Sequence, residues 1–245
     1  MQFEYSEYQD QLLRGLAHRM NNILTLFHGY LGLLLDSKKL DEREREGLLR
    51  ITNGARAASD LIDRTHALVR AGDEREREVD LGVLIRLLEP SFAARLGPKT
   101  QLVLEVPEQL PIVCADSGRL RTSIVELVRN AIEATMAGGC VRVSGRRLPS
   151  VPGRQGAPPQ PWVAVRVTDD GPGVPERVAG NLFKPFVTTK KPQDSAGLGL
   201  TLALTFARQQ GGDIEFQSRR GETFFEMRLP CRRAAGAARG TDGER

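Results

Sequence analysis

The chain has 245 residues, 40% of them hydrophobic and 27% charged, with a formal net charge of +4. That is enough apolar material for one or two folded domains, and no apolar run is long enough to cross a bilayer. The start, Met1-Gln2-Phe3-Glu4-Tyr5, has no basic stretch followed by an apolar one, so a secretory signal is not expected and a cytoplasmic location is. Aromatic residues are 5% of the chain and do not alternate with its basic residues, which argues against a nucleic-acid partner. Cys114, Cys140 and Cys231 are scattered, with neither metal-ligand spacing nor a disulfide framework, and fit a reducing compartment.

The first predicted element is a helix with apolar or aromatic residues at Leu13, Leu16, Met20, Ile23, Phe27, Tyr30 and Leu34, a heptad seam. A polar connector, Asp36 to Asp41, leads to a second seam at Leu48, Ile51, Ala55, Ala58, Ile62, Thr65 and Val69, so the two helices form an antiparallel hairpin. Asp41 is placed to cap the second helix, with Glu42 and Glu44 in its first turn. Ala17, Leu24, Leu31, Leu61 and Leu68 widen the apolar stripes beyond what two helices can cover. Two hairpins joined as a dimeric four-helix bundle would cover the excess. With Leu13 and Leu16 in the seam, His18 falls on the solvent side, with Asn22 one turn onward. A neutral, accessible imidazole is a good nucleophile for phosphoryl transfer. His28 and His66 read as ordinary surface or boundary positions.

After a charged linker at 73–79 the pattern changes to mixed helix and strand. Helices are predicted at 81–96, 116–136 and 197–210, and strands at 101–106, 112–114, 140–147, 162–168, 214–218 and 223–229. A Pro/Gly-rich loop separates the third and fourth of these strands at 149–161, and the last residues are expected to be disordered. Strands and helices do not alternate as parallel units require, so the expected class is α+β: the helical hairpin at 1–72, then an α/β sandwich with a mixed sheet at 80–230 and a tail at 231–245.

Four short segments in this second region carry chemistry. Glu126 and Asn130 share one helix face; the amide oxygen can serve Mg²⁺, and the carboxylate can hold a metal-bound or attacking water. Asp169 ends a strand and is followed by Asp170-Gly171-Pro172-Gly173, where a carboxylate can accept the exocyclic amine of adenine and glycines let a ligand approach the backbone. Gly197 and Gly199 open a helix whose free N–H groups favour anions. Between them lies 174–196, with Thr188, Thr189, Lys190 and Lys191, which reads as a lid over phosphates anchored by Phe183 and Phe186. Singly, each segment is also an ordinary helix face or turn.

Taken in order, the segments resemble the motifs of sensor histidine kinases. Glu126-Leu-Val-Arg-Asn130-Ala-Ile-Glu-Ala134 is similar to the N box, Asp169 to Gly173 to the first glycine box, and Leu182 to Lys190 to the F box. Ala196-Gly-Leu-Gly-Leu200 is similar to the second glycine box, Gly221 to Phe225 to the closing hairpin, and His18-Arg-Met-Asn-Asn22-Ile-Leu-Thr25 to the H box. The resemblance spans about Leu12 to Pro230 and implies a Bergerat-type ATP-binding fold behind a dimerisation and phosphotransfer hairpin. It implies that His18 accepts the γ-phosphoryl group of ATP, that Asn130 binds Mg²⁺, and that Asp169 reads adenine. Gly171, Gly173, Gly197 and Gly199 would shape the pocket, with Lys190, Leu198 and Thr223 in the nucleotide-contacting set. It further implies transfer from phosphohistidine to an aspartate of a response-regulator receiver domain, with Asn22 orienting water for its removal.

The sequence departs from the family pattern at two places. Arg19 follows the histidine where an acidic residue is usual, and Ser195 stands where the second glycine box usually begins with glycine. These departures motivate an alternative, a phosphotransfer protein or scaffold without kinase activity; an ATPase of the chaperone or topoisomerase kind lacks the further domains those machines use. With no sensory domain, membrane anchor or receiver domain evident, input is expected from a separate protein or small ligand.

Overall fold

The computed structural model describes residues 2–37, 40–69, 76–151, 160–189 and 197–231. Two helices come first, α1 (Gln2–Leu35) and α2 (Glu42–Val69). There follow β1 (Arg77–Val79), α3 (Leu81–Ala93), β2 (Gln101–Glu105), β3 (Val113–Ala115), α4 (Ser117–Ala134), β4 (Cys140–Val151), β5 (Gln160–Asp169), α5 (Glu176–Ala179), α6 (Gly199–Gln209), β6 (Asp213–Arg219) and β7 (Glu222–Pro230). The chain divides into two compact units, 1–71 with 185–198, and 72–184 with 199–245.

In the first unit α1 and α2 pack against each other. Asp41 Oδ1 accepts from Glu44 N at 2.7 Å while Glu44 Oε2 accepts from Asp41 N at 3.0 Å, a reciprocal capping box that starts α2 where the sequence places it. The residues of α1 turned to α2 are the neighbouring stripe, Ala17, Asn21, Leu24, His28 and Leu31, with Leu31 buried; among the described residues Thr52 and Ile62 are the buried positions of α2. The heptad seam of α1 faces outward instead: Leu16, Met20, Ile23, Phe27, Tyr30 and Leu34 are all exposed. Both stripes are apolar, so periodicity alone does not say which one the hairpin consumes. The side chains of Leu13, His66, Leu68 and Val69 lie outside the described residues, as do Lys190, Ser195 and the tail from 232. No described helix is long and apolar enough to cross a membrane.

The second unit has a five-stranded sheet in the order β2-β4-β5-β7-β6, with β2 and β4 parallel and the other neighbours antiparallel, as the mixed pattern requires. Helices α3, α4 and α6 cover one face. Alternation along β5 turns Val163, Val165, Val167 and Asp169 toward the helices, and the register sets Val167 opposite both Val143 and Phe225. Ile124, Leu127, Val128 and Phe206 close the core, each large side chain contributing about 1.5–3 kcal/mol by leaving water.

Three local readings change. Arg77–Val79, read as the end of a linker, pairs antiparallel with Val113–Ala115 as a second small sheet. The strands β4 and β5 run into the Pro/Gly-rich loop, with Val151 opposite Gln160 after a shift in register. Phe183 anchors its segment by edge contacts with the rings of Phe216 and Phe225 at 5.8 and 6.3 Å, but Phe186 does not: it is exposed, with a left-handed φ of 64°. The three cysteines are free, and burial pushes the Cys231 thiol up to about 11, which keeps it unreactive.

The sheet face away from the helices is polar. Glu226, fully buried, accepts hydrogen bonds from Arg228 Nε, Arg146 Nη2 and Arg166 Nε, each as short as 2.7 Å. Burial pushes its carboxyl up, but the three guanidinium hydrogen bonds outweigh that and hold it below the ordinary glutamate value. A carboxyl with a lowered folded-state value stabilises the fold above the ordinary glutamate range and loses that contribution as pH falls from that range through the lowered value. Glu226→Gln is expected to destabilise the fold by about 2 kcal/mol at neutral pH, less than in a fully dry site because the arginines face water. Urea unfolding of both proteins at neutral and acid pH checks this; the gap should close in acid.

Candidate functional site

The site grows from two helix ends and one strand end. Asp116 caps α4, accepting from Gly118 N at 2.8 Å and Arg119 N at 3.0 Å, and so sets the phase of that helix. Glu126 is then buried and Asn130 is half-buried one turn later. The carboxylate of Glu126 receives Arg129 Nη2 at 2.5 Å and lies against Gly199, the first residue of α6. A side chain at 199 would push Glu126 Oε2 from this position.

At the end of β5 the two aspartates separate. Asp170 is exposed, and its Oδ2 accepts from Cys140 N at 2.8 Å, which ties the turn to the start of β4. Asp169 turns inward and is 3% exposed, its Oδ1 accepting from Gly171 N at 3.0 Å. Burial pushes its carboxyl up to about 6; the Gly171 N–H opposes this and the charge of Asp170 adds to it. A buried carboxyl held so far above its ordinary range is a mark of functional sites.

Gly171 is buried where a Cβ would come within 2.6 Å of the Ala134 carbonyl, so the turn closes directly onto the end of α4, one turn beyond Asn130. Gly173 has φ of 89°, a left-handed conformation that favours glycine. Thr223, buried opposite Asp169, lies 2.9 Å from Ser218 Oγ, which in turn accepts from Val174 N at 2.7 Å. Asp169, Gly171 and Thr223 are thus brought to one end of the sheet beside the close of α4, while Glu126 and Gly199 meet at the start of α6. Gly197 has φ of 66° and its carbonyl accepts from Phe186 N at 3.0 Å; Leu198 is buried just before α6.

His18 and Asn22 stand exposed on α1, in the other unit. Counting about 100° per residue, His18 lies about 160° round the helix from the outward seam, so packing of that seam leaves it free. Asn21, half-buried beside it, donates Nδ2 to Asp63 Oδ1 at 2.7 Å across the hairpin. Arg129, Asn21 and Ser218 escape a reading of the sequence; only the i+3 spacing of Arg129 from Glu126 hints at its pairing.

Among the described residues no group of three or more His, Cys, Asp or Glu side chains could hold a metal ion. One neutral amide oxygen, that of Asn130, suits Mg²⁺, which keeps waters and arrives on phosphate rather than in a protein cage.

Two family models match the chain. Residues 8–74 match the His Kinase A phospho-acceptor domain, and residues 115–233 match the histidine kinase-, DNA gyrase B- and HSP90-like ATPase. The chain belongs to the histidine kinase family. It is 30% identical to the sensor kinase CckA of Brucella abortus over 90% of its own length and 24% of that protein's. It is 28% identical to the sensory histidine kinase/phosphatase NtrB of Rhodobacter capsulatus over 88% of its length and 60% of the relative's. The histidine kinase fold extends to solved structures: full-length ShkA in complex with AMPPNP, 25% identical, matches with a TM-score of 0.67 over 92% of this chain and 47% of that one. The catalytic domain of histidine kinase ThkA, 27% identical, matches with a TM-score of 0.52 over 64% of this chain and 96% of that one. The chain therefore spans between a quarter and three-fifths of the length of these curated relatives.

The raised Asp169 carboxyl has a stability consequence of definite sign. Its neutral form is favoured by the fold, so its contribution is intact below the ordinary value of 3.8 and is lost as pH rises through about 6. Asp169→Asn is expected to raise the stability of the nucleotide-free protein above that range by about 1–3 kcal/mol, with no difference in acid. Thermal unfolding across pH checks it; an Asn variant less stable at neutral pH contradicts it.

Proposed function

We propose that this chain is an ATP-dependent protein-histidine kinase acting in the cytoplasm as a homodimer. Residues 1–72 would dimerise and carry the phospho-acceptor, and 80–230 would bind ATP, with β1 joining the latter. The observation that carries the reading is the buried carboxyl of Asp169, held by a single backbone N–H from Gly171, beside glycines that admit a ligand to the backbone, in a chain that also exposes His18. Asp169 accepts the exocyclic amine of adenine. Gly171 and Gly173 shape the pocket beside it, and Leu198 and Thr223 support its walls. Gly197 and the start of α6 at Gly199 take phosphate, together with Lys190. Mg²⁺, held by Asn130 and waters, supplies charge neutralisation when bound.

His18 uses a ring nitrogen to attack the γ-phosphorus. The N–P bond forms, the bond from phosphorus to the bridging oxygen breaks, and ADP leaves. Glu126 holds water or a proton at the reacting end, and Asn22 orients water for removing phosphate from the acceptor partner. That partner is a response-regulator receiver domain with an aspartate acceptor. Leu26 and Leu33, 64% and 71% exposed, lie within about 80° of His18 round α1 and offer the apolar contact such a domain needs.

With radiolabelled ATP, the purified chain should acquire acid-labile phosphate that is absent from His18→Ala. Label persisting on that variant removes His18 as the acceptor, and no label together with no ATP binding favours the scaffold alternative. The exposed seam sets a second expectation: Ile23→Glu with Phe27→Glu should convert a dimer to a monomer by light scattering, since two charges cannot be buried unpaired. An unchanged mass would place the dimer contact elsewhere.

A further inference from the structure

Helix α4 turns Glu126, Arg129, Asn130 and Glu133 to one side, because positions three, four and seven apart share a face. Glu126 brings a buried negative charge up to Gly199, at the end of α6 where the proposed function places phosphate. Two anions a few ångströms apart in a poorly solvated site repel strongly. Arg129 stands beside Glu126 at this helix end. Its Nη2 is 2.5 Å from Glu126 Oε2 and 3.3 Å from the point a Cβ at 199 would occupy. Its Nε is buried without a hydrogen-bond partner, 3.7 Å from Glu133 Oε1, so the guanidinium retains donor capacity beyond its pair with Glu126.

We propose that Arg129 is a positioning residue for the phosphate chain: it neutralises Glu126 at the start of α6 and so lets polyphosphate settle beside a buried carboxylate. The inference rests on the reading that α6 receives phosphate. Its consequence is specific to charge. Loss of Arg129 should weaken ligands in step with their phosphate charge and leave the adenosine end, held at Asp169, unaffected. Removing Glu126 as well should remove the penalty, because the repelling charge is then gone.

The test is calorimetric titration of adenosine and of AMPPNP with Mg²⁺ into the full chain and its variants. Arg129→Gln should lower AMPPNP affinity by about tenfold or more while adenosine changes by less than about threefold. Arg129→Lys should recover most of the loss, and Glu126→Gln/Arg129→Gln should bind AMPPNP as tightly as Glu126→Gln alone. An equal loss for adenosine and AMPPNP overturns the proposal, because a merely structural residue acts that way. So does a double variant weaker than Glu126→Gln, a comparison that stands even if Arg129→Gln does not fold. If the unaltered chain binds AMPPNP no better than adenosine, the phosphate reading itself fails and the role of Arg129 falls with it.

Discussion

Keeping the Asp169 carboxyl out of water is the constraint around which the α/β unit is arranged. It ends a central strand on the helix-covered face, where alternation along β5 would otherwise place another valine. A carboxyl there costs stability unless a ligand supplies donors. The surroundings keep that cost from being relieved inside the protein: Gly171 brings one N–H, and Asp170 is drawn off to cap β4. Closure of Gly171 onto the end of α4 couples the strand end to the helix that carries Asn130. A site that is strained when empty and satisfied when filled binds by differential stabilisation.

Charge is treated in opposite ways on the two sides of the sheet. On the helix side one carboxyl, Asp169, is left nearly alone; on the open side Glu226 is saturated by three guanidiniums. The first arrangement leaves room for a ligand and the second leaves none. Glu226 therefore serves stability, and its neighbours hold β4, β5 and β7 in register. The hairpin shows the same division for apolar surface. Leu31 and Ile62 are consumed within one chain, while Phe27, Tyr30 and Leu34 remain uncovered and call for a second apolar surface.

Much of the fold was legible in the sequence because its periodicities are strong. The long α4, the pairing of β6 with β7 and the cap at Asp41 follow from residues that admit few alternatives. The outward and inward stripes of α1 were not distinguishable, since Leu16 and Leu24 are equally apolar and only three-dimensional packing assigns them. Strand β1 was missed because Arg-Glu-Val is short and mostly polar; it exists by pairing with β3. At the site, Asp169 and the glycines stood out by motif, yet the motif does not say that Asp169 is the buried member of its pair. Arg129 was passed over because an arginine on a helix is ordinarily solvated, and its burial depends on α6 arriving against α4.

The proposed nucleotide site requires that the Asp169 carboxylate meet a donor from a nucleotide. Carbon-13 NMR of that carboxyl, titrated across pH with and without saturating AMPPNP and Mg²⁺, measures this directly. Without ligand it should titrate near 6, and with ligand at least about one unit lower, because a donated hydrogen bond favours the ionised form. A midpoint that nucleotide leaves unchanged, or moves upward, would contradict the account.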